Sequence, residues 1–354
     1  MAYTTINKST AHFNTKLVTG NSSSNNNDPS NQQTITGLSF QPDWLWGKNR
    51  VQGDPYYHVL VDAVRGSAKR LYSNNDSAES TDDGDVENFT SDGFKLGSGL
   101  NLNKNGDSNV FWLWKANGQG SSNTDGSINT TYTSANTTAG FSISTYTGTG
   151  SNATVGHGLG SVPKMIIVKR TNATDVWRVY HSSIGATKHL VLNTTAAEAT
   201  GSNVWNDTAP TSSVFSISTD SAVNASGATY VAYCFAEKSG YSKIGSFTGN
   251  GNADGTFIYT GFRPAFILVR ASNLTTNWHL YDNKRDPINP ADIILRANAS
   301  NAEATNSEFA YDFVSNGFKA RSSSSEFNGS GNTFIYYAVG QSLVGSNNVP
   351  CTAR

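Results

Sequence analysis

The amino-acid sequence predicts an all-β protein built from three tandem antiparallel β-sandwich repeats of the jelly-roll or lectin-like kind. Three observations carry this prediction. One order of turns and strands occurs three times along the 354 residues, the apolar runs are short and separated by Gly- and Asn-rich turns, and signals for helices are nearly absent. Each copy of a repeated order is one structural unit, so the repeat determines the architecture. Short strands with turns at regular intervals are typical of antiparallel sandwiches and jelly rolls.

The repeated order is clearest between residues 155 and 198. A glycine-rich turn leads to the apolar run 165–168, an aromatic strand and a further strand follow, and a glutamate lies five residues after an asparagine. The same order occurs upstream from residue 35 and downstream from residue 258. A proline precedes the most apolar strand of each copy, where its missing N–H costs little. We therefore expect three prolines at equivalent strand starts, namely Pro42, Pro163 and Pro264.

Each copy opens with a strand of alternating apolar and polar residues and closes with an aromatic strand, as in residues 13–20 and 110–114 of the first copy. Alternation with a period of two residues is typical of a half-exposed strand. The sequence predicts repeats at residues 13–116, 141–237 and 241–340, with a lead at 1–12 and a tail at 341–354. The Gly/Ser/Thr/Asn tract 117–140 is either a linker or a pair of weak strands. Single helical turns are expected at 195–200 and 301–305.

Composition excludes two classes of partner. The net charge is −1 and only 14% of residues are charged, so no basic field attracts nucleic acid. No apolar run approaches the roughly 20 residues of a membrane span, which predicts no membrane insertion. The first 19 residues lack the pattern of a secretory signal. Two cysteines are too few for a disulfide framework, and Cys234, within an apolar strand, is expected to be a buried thiol.

Carboxylates are the strongest candidates for chemistry. Asp62 with Glu79, or Asp282 with Glu303, would suit glycoside hydrolysis if each pair faced one sugar. The glutamate recurs in all three copies, however, which favours a structural role such as capping backbone N–H groups. His181 stands where the other copies have aspartate. Helical zinc spacings and a nucleophile elbow are absent, so the sequence predicts no catalytic residue, no cofactor, no metal ligand and no enzyme.

Two charged loops are the predicted surface contacts. Residues 82–87 form an acidic run that is either a solvated loop or a calcium-binding loop. The second loop comprises residues 283–292, and the Ser/Asn-rich insert 22–33 completes the set of candidate contact loops. The residues predicted to make surface contacts are Asp82, Asp83, Asp85, Asn283, Lys284 and Arg285.

The seven tryptophans admit two interpretations. Alternate residues of a strand face the same side, so Trp44 and Trp46 share one face, as do Trp112 and Trp114. Packing in the core is the default for such pairs. Stacking on a sugar ring or on a partner protein is the alternative.

Three phrases of the sequence carry a resemblance to a known family. They are MAYTTINKST at residues 1–10, SDGFKLGSG at 91–99 and DNKRDP at 282–287. With the repeats, they resemble a family of virion proteins from bacteriophages of cyanobacteria and other ocean bacteria, and the resemblance covers nearly the whole chain. Such proteins are mostly labelled as virion structural or tail-fibre proteins. The resemblance implies a virion protein that is assembled in the host cytoplasm and released by lysis, and it supplies no catalytic residues.

The resemblance implies a tail-fibre or appendage protein that contacts the host. A head decoration or knob that stabilises the capsid is the alternative, and a glycan-depolymerising tailspike is the third possibility. The expected partners are other virion proteins, further copies of the chain (a trimer if it is a fibre), and a glycan or protein of the host surface.

Overall fold

The computed structural model describes residues 4–24, 28–51, 53, 56–82 and 84–342. Strands make up 42% of the structure and helices 8%, and the strands pair in antiparallel sheets. The all-β class is therefore confirmed. The predicted domain boundaries stay predictions.

The strands are described in three sections of the chain. The first section contains β1 (Phe13–Thr19), β2 (Gln33–Ile35), β3 (Trp44–Asn49), β4 (Val59–Asp62), β5 (Gly66–Tyr72), β6 (Ser80–Thr81), β7 (Val86–Thr90), β8 (Gly93–Leu96) and β9 (Ser108–Trp114). The second section contains β10 (Tyr132–Asn136), β11 (Phe141–Thr147), β12 (Ala153–Gly156), β13 (Met165–Arg170), β14 (Arg178–His181), β15 (Lys188–Val191), β16 (Ala199–Thr200), β17 (Val214–Ile217) and β18 (Thr229–Phe235). The third section contains β19 (Ser242–Thr248), β20 (Phe257–Tyr259), β21 (Pro264–Ala271), β22 (His279–Asp282), β23 (Ile293–Arg296), β24 (Ala304–Thr305), β25 (Tyr311–Val314), β26 (Gly317–Ala320) and β27 (Thr333–Gly340).

One large sheet in each section follows the same strand order. The orders are β1-β9-β3-β4-β5-β6, β10-β11-β18-β13-β14-β15-β16 and β19-β27-β21-β22-β23-β24. In each sheet, the last strand of the section (β9, β18 or β27) lies between the opening strand (β1, β11 or β19) and the most apolar strand (β3, β13 or β21). The second sheet has β10 as an additional edge strand. The register pairs Trp44 with Trp114, Met165 with Phe235, and Phe266 with Val339.

The three prolines stand two residues before these paired positions. Pro42 precedes Trp44, Pro163 precedes Met165, and Pro264 precedes Phe266. This is the placement that the repeat hypothesis requires. Superposition of the three sections remains its test.

A small sheet packs on one face of each large sheet. The small sheets are β2-β8-β7, β12-β17 and β20-β26-β25. Apolar side chains from both sheets of a section fill the space between them, for example Leu45, Phe94 and Phe111 in the first section. The second and third sections have equivalent clusters. Each section is thus a sandwich with a core of its own.

The opposite faces of the three large sheets meet in a shared aromatic core. Ring centroids of Trp44 and Tyr233 lie 4.5 Å apart, which joins the first and second sections. Phe235 and Tyr337 join the second and third at 4.9 Å, and Trp114 with Phe266 joins the third and first at 5.6 Å. Because both faces of each large sheet are buried, its central strands read as continuous apolar runs rather than alternating ones.

Tryptophan is used for packing throughout. All seven tryptophans are at most 2% exposed. The core interpretation is confirmed, and the alternative of tryptophans stacking on a sugar at the surface is wrong. Cys234 is confirmed as a buried free thiol, while Cys351 lies outside the described residues.

The tract 117–140 is partly sheet. Its strand β10 pairs with β11, and residues 123–128 cover the edge of β12. There the Ile128 N–H donates to the Thr154 carbonyl at 3.0 Å, and the Thr154 N–H donates to Ser127 Oγ at 2.8 Å. The weak-strand interpretation of this tract therefore fits better than a linker.

The helices are short and lie elsewhere than predicted. Residues 195–200 and 301–305 contain β16 and β24 instead of helical turns, because pairing with β15 and β23 satisfies their backbone groups. The α-helices are α1 (Leu100–Asn103), α2 (Ser202–Trp205), α3 (Ser221–Asn224) and α4 (Ser325–Asn328). Among the described residues, three 3₁₀ turns lie at Ser9–Ala11, Pro29–Asn31 and Ser307–Phe309. Within the described part of the chain, no helix is long and apolar enough to cross a membrane.

Candidate functional site

The repeated glutamates lie at the contacts between sections. The Glu79 N–H donates to the Thr171 carbonyl of the second section at 2.8 Å, and the Glu198 N–H donates to the Ser272 carbonyl of the third at 2.7 Å. The Glu303 N–H donates to the Arg50 carbonyl of the first section at 2.8 Å. The three contacts run in one direction and return to their start, so the sections form a closed ring.

Asp62 is buried where the first section meets the second. Its Oδ2 accepts from Arg65 Nε at 2.6 Å and from the Tyr233 hydroxyl at 2.8 Å. Its Oδ1 accepts the N–H groups of Val64 and Arg65. Arg65 also donates to Glu79 Oε2 at 2.8 Å. One guanidinium therefore binds both carboxylates of the candidate pair.

Asp282 has the same surroundings where the third section meets the first. Its Oδ2 accepts from Arg285 Nε at 2.6 Å and from Trp112 Nε1 at 3.1 Å. Arg285 donates to Glu303 at 3.1 Å, and Arg50 makes a further ion pair with Glu303 at 2.7 Å. Trp112 takes the place that Tyr233 has in the other contact.

The third contact uses a neutral ring. Nδ1 of His181 accepts the Ser183 N–H at 3.2 Å, and Nε2 faces the Tyr336 carbonyl of the third section at 3.3 Å. This arrangement requires a proton on Nε2 only. Burial lowers the pKa of His181 to about 4, which keeps the ring neutral near pH 7. Glu198 pairs instead with Lys188 at 2.5 Å.

These contacts argue against glycoside hydrolysis at either acid pair. A glycosidase needs one carboxyl group that donates a proton to the leaving oxygen and a second that faces the sugar. Here the carboxylates of Asp62 and Glu79 bind Arg65, and the Asp62 side chain is fully buried. The predicted structural role of the glutamates fits better. Their side chains form ion pairs rather than the backbone caps that the sequence suggested.

A buried basic residue occupies one equivalent position in each section. Lys48, Lys169 and Arg270 face Val110, Val231 and Ile335 in the register of the large sheets. Each donates to the carbonyl of the next residue, at 2.7, 2.6 and 2.8 Å respectively. Arg270 also donates to the Ala196 carbonyl of the second section at 2.8 Å.

Burial disfavours the charged form of these three groups. It lowers the pKa of Lys48 to about 7, that of Lys169 to about 8 and that of Arg270 to about 10. Local sequence patterns do not reveal this burial, because a lysine inside a strand is normally assigned to the exposed face.

The acidic loop binds an arginine. Arg70 Nη1 contacts Asp82 at 2.6 Å and Asp85 at 2.9 Å, and Asn101 donates to Asp85 at 3.2 Å. Asp85 is 1% exposed, so its predicted role as a surface contact is wrong. Acidic neighbours in sequence favour a surface position for Asp85, but its partner Arg70 comes from β5, which the local sequence does not reveal. Asp83 lies outside the described residues. Among the residues described, no group of three potential metal ligands occurs.

The second candidate loop is divided between surface and interior. Lys284 is exposed and Asn283 half-exposed, and both line a groove of about 240 Å³ with Phe13, Ala265 and Gln341. Arg285 is buried between Asp282 and Glu303. Its predicted surface contact is wrong, because its ion-pair partner Glu303 lies 18 residues further along the chain.

Sequence reasoning missed an exposed aromatic pair on β20. Phe257 is 47% and Tyr259 is 61% exposed. A comparison of the three sections could have found this pair, because the positions equivalent to Phe257 and Tyr259 carry threonine or glycine in the first and second sections. The equivalence follows from the register in which Ile258, Ile35 and Val155 pair with Phe318, Phe94 and Phe215.

Comparison with known proteins gives one match. No curated protein and no solved structure matches the chain. A family model described as a domain of unknown function (DUF7483) matches residues 8–342. This match spans nearly the whole chain, and the protein therefore belongs to the DUF7483 family.

Proposed function

We propose that this protein is a non-enzymatic structural component of a bacteriophage virion, namely a tail-fibre or appendage protein that contacts the host surface. It acts together with other virion proteins and as a homo-oligomer, a trimer if it forms part of a fibre. The sequence resemblance suggests the virion, and the closed ring of three sheets around one aromatic core is the observation that carries a structural role.

The ring supports this role through its use of charged groups. The buried carboxylates of Asp62 and Asp282 bind arginines at the contacts between sections. Removing one partner of such a pair costs about 3–5 kcal/mol, since the other charge is left buried. The carboxylates that the sequence offers as catalytic candidates thus hold the sections together. Contacts with partners then fall to the exposed loops and strand edges of a rigid scaffold.

Labelling of intact virions tests the proposed location. Antibodies against the purified protein, visualised by electron microscopy, are expected to decorate the tail or its appendages. Decoration of the head would support the capsid-decoration alternative instead. If the protein is absent from purified particles, as judged by mass spectrometry, the virion proposal fails.

Incubation with host surface polysaccharide tests the non-enzymatic role. We expect no shortened glycan products from the purified protein. The tailspike alternative requires such products, and their loss in Asp62→Asn or Glu79→Gln would assign the reaction to that pair. Mass measurement in solution and on the particle tests the oligomer, and a monomer in both places contradicts it.

A further inference from the structure

Strand β20 presents two aromatic rings to the outside. It is the edge strand of the small sheet β20-β26-β25. Phe257 and Tyr259 are two residues apart and therefore point to the same face. The intervening Ile258 is 5% exposed and packs in the core of the third section. The strand is thus anchored on its inner side and leaves both rings in solvent.

The fold does not require these rings. At the equivalent positions the first section has Thr34 and Thr36, and the second has Thr154 and Gly156. In the second section, residues 123–128 cover this place, with Asn123 next to Gly156. The third section has large apolar side chains at a place where the first section has small polar ones and the second is covered by its own chain.

The rings lie beside groups that form hydrogen bonds. Phe257 packs against Gly317, where an added Cβ would lie 3.0 Å from the ring. Its register partner Lys319 pairs with Asp254 at 2.5 Å, and Arg321 lies 3.6 Å from the same carboxylate. Asp254 is largely exposed. An apolar platform is therefore flanked by accessible donors and acceptors.

The size of the platform selects its ligand. Aromatic side chains offer about 150–250 Å² each, so two half-exposed rings offer roughly 200 Å² in total. A stable protein interface needs about 800 Å² from each partner, so the platform alone is too small for a stable contact with another protein. A strand rises about 3.3 Å per residue, which sets the Cα atoms of Phe257 and Tyr259 roughly 6–7 Å apart, about the width of one sugar ring and its linkage.

We propose that Phe257 and Tyr259 form a glycan-binding platform for a pyranose of the host surface. The apolar C–H face of the sugar packs on the rings, and its hydroxyl groups bind Lys319 and Asp254. This inference rests on the proposed function and names the class of partner. Single contacts of this kind are weak, and repetition over several copies on a particle raises the avidity.

Saturation-transfer difference NMR on the full chain tests the platform. The probes are methyl glycosides of glucose, galactose and mannose, together with the purified surface polysaccharide of the host. We expect transfer to the C–H protons of at least one probe. The double variant Phe257→Thr/Tyr259→Thr, which copies the first section, should weaken binding by about tenfold or more. The matched control Thr34→Ala/Thr36→Ala should leave binding unchanged.

The outcomes separate this inference from the proposed function. Absence of transfer to every probe, or equal binding by the double variant, overturns the platform. A change of the solution mass in the double variant assigns the rings to a protein contact and also overturns it. Labelling of virions is independent of these results, so the protein can fail as a lectin and remain a virion component. Circular dichroism verifies that the double variant is folded.

Discussion

At the residue scale, buried bases are the most unusual feature. Lys48 is fully buried, and burial lowers its pKa to about 7. An unfolded lysine has a pKa near 10.4. Between these values the unfolded chain binds a proton that the folded chain has released, so the free energy of unfolding increases as the pH rises.

We predict that stability rises by about 1 kcal/mol between pH 7 and 8 through Lys48, because each pH unit of such a proton difference is worth up to about 1.4 kcal/mol. Lys48→Met should reduce this rise in the free energy of unfolding. The rise that Lys169 contributes, which lies at higher pH, should remain. The measurement is urea unfolding at several pH values. The exposed Lys284→Met is the control, and an unchanged pH dependence in Lys48→Met contradicts the prediction.

The buried arginines give a second residue-scale prediction. Arg65→Leu leaves Asp62 buried without its partner, and we expect a loss of about 3–5 kcal/mol. The partly exposed pair of Lys95 and Glu87 is the control, since Lys95→Ala should cost no more than about 1 kcal/mol. Chemical denaturation compares the two variants. Similar losses in both would show that the Arg65 contact is not a buried charge pair in solution.

At the element scale, the edge of β12 depends on its covering segment. An added Cβ at Gly156 would lie only 1.7 Å from Asn123 Oδ1, so Asn123 has to move in Gly156→Ala. We predict faster hydrogen exchange of the Ile128 amide and a loss of about 1–2 kcal/mol. Ser151→Ala, at an exposed site before the same strand, is the control. Unchanged protection of Ile128 would contradict the assigned contact.

Elements were more predictable than their surroundings. The order of turns and strands follows from Pro42, Pro163 and Pro264 and from apolar runs, which are local signals. The shared core does not follow from local signals, because an apolar run such as residues 165–168 shows only that both faces of the strand are buried. It does not show which residues bury them. The burial of Arg285 and Asp85 escapes prediction for a related reason. Asp282 is close to Arg285 in sequence, but the other partner of Arg285, Glu303, and the partner of Asp85, Arg70, come from other strands or turns, and local charge patterns do not reveal such pairs.

At the scale of the whole molecule, one core serves three sections. We predict a single cooperative unfolding transition, because separating the sections exposes the rings that meet at Trp44, Phe235 and Phe266. Near-ultraviolet circular dichroism, tryptophan fluorescence and calorimetry should report the same midpoint. Three resolved transitions would instead indicate independent sandwiches.

A shortened chain gives the complementary result. A fragment that ends at residue 237 lacks Phe266 and Tyr337 from the shared core and leaves Trp114 and Phe235 uncovered on that side. We expect it to aggregate or to lack native tryptophan fluorescence. A soluble fragment with native near-ultraviolet signals would contradict the shared core.

The closed ring also brings the two ends of the described chain together. Thr10 Oγ1 lies 3.3 Å from Ser342 Oγ, and the connection between the second and third sections passes through the short turn at residues 237–241. The order of the three sections along the chain can therefore be changed while their arrangement around the ring stays the same. A circular permutant that joins the two described ends and opens the chain at that turn is expected to keep the three glutamate contacts between sections. For protein engineering, this means that the described ends and the turn at residues 237–241 are the places at which another domain can be fused.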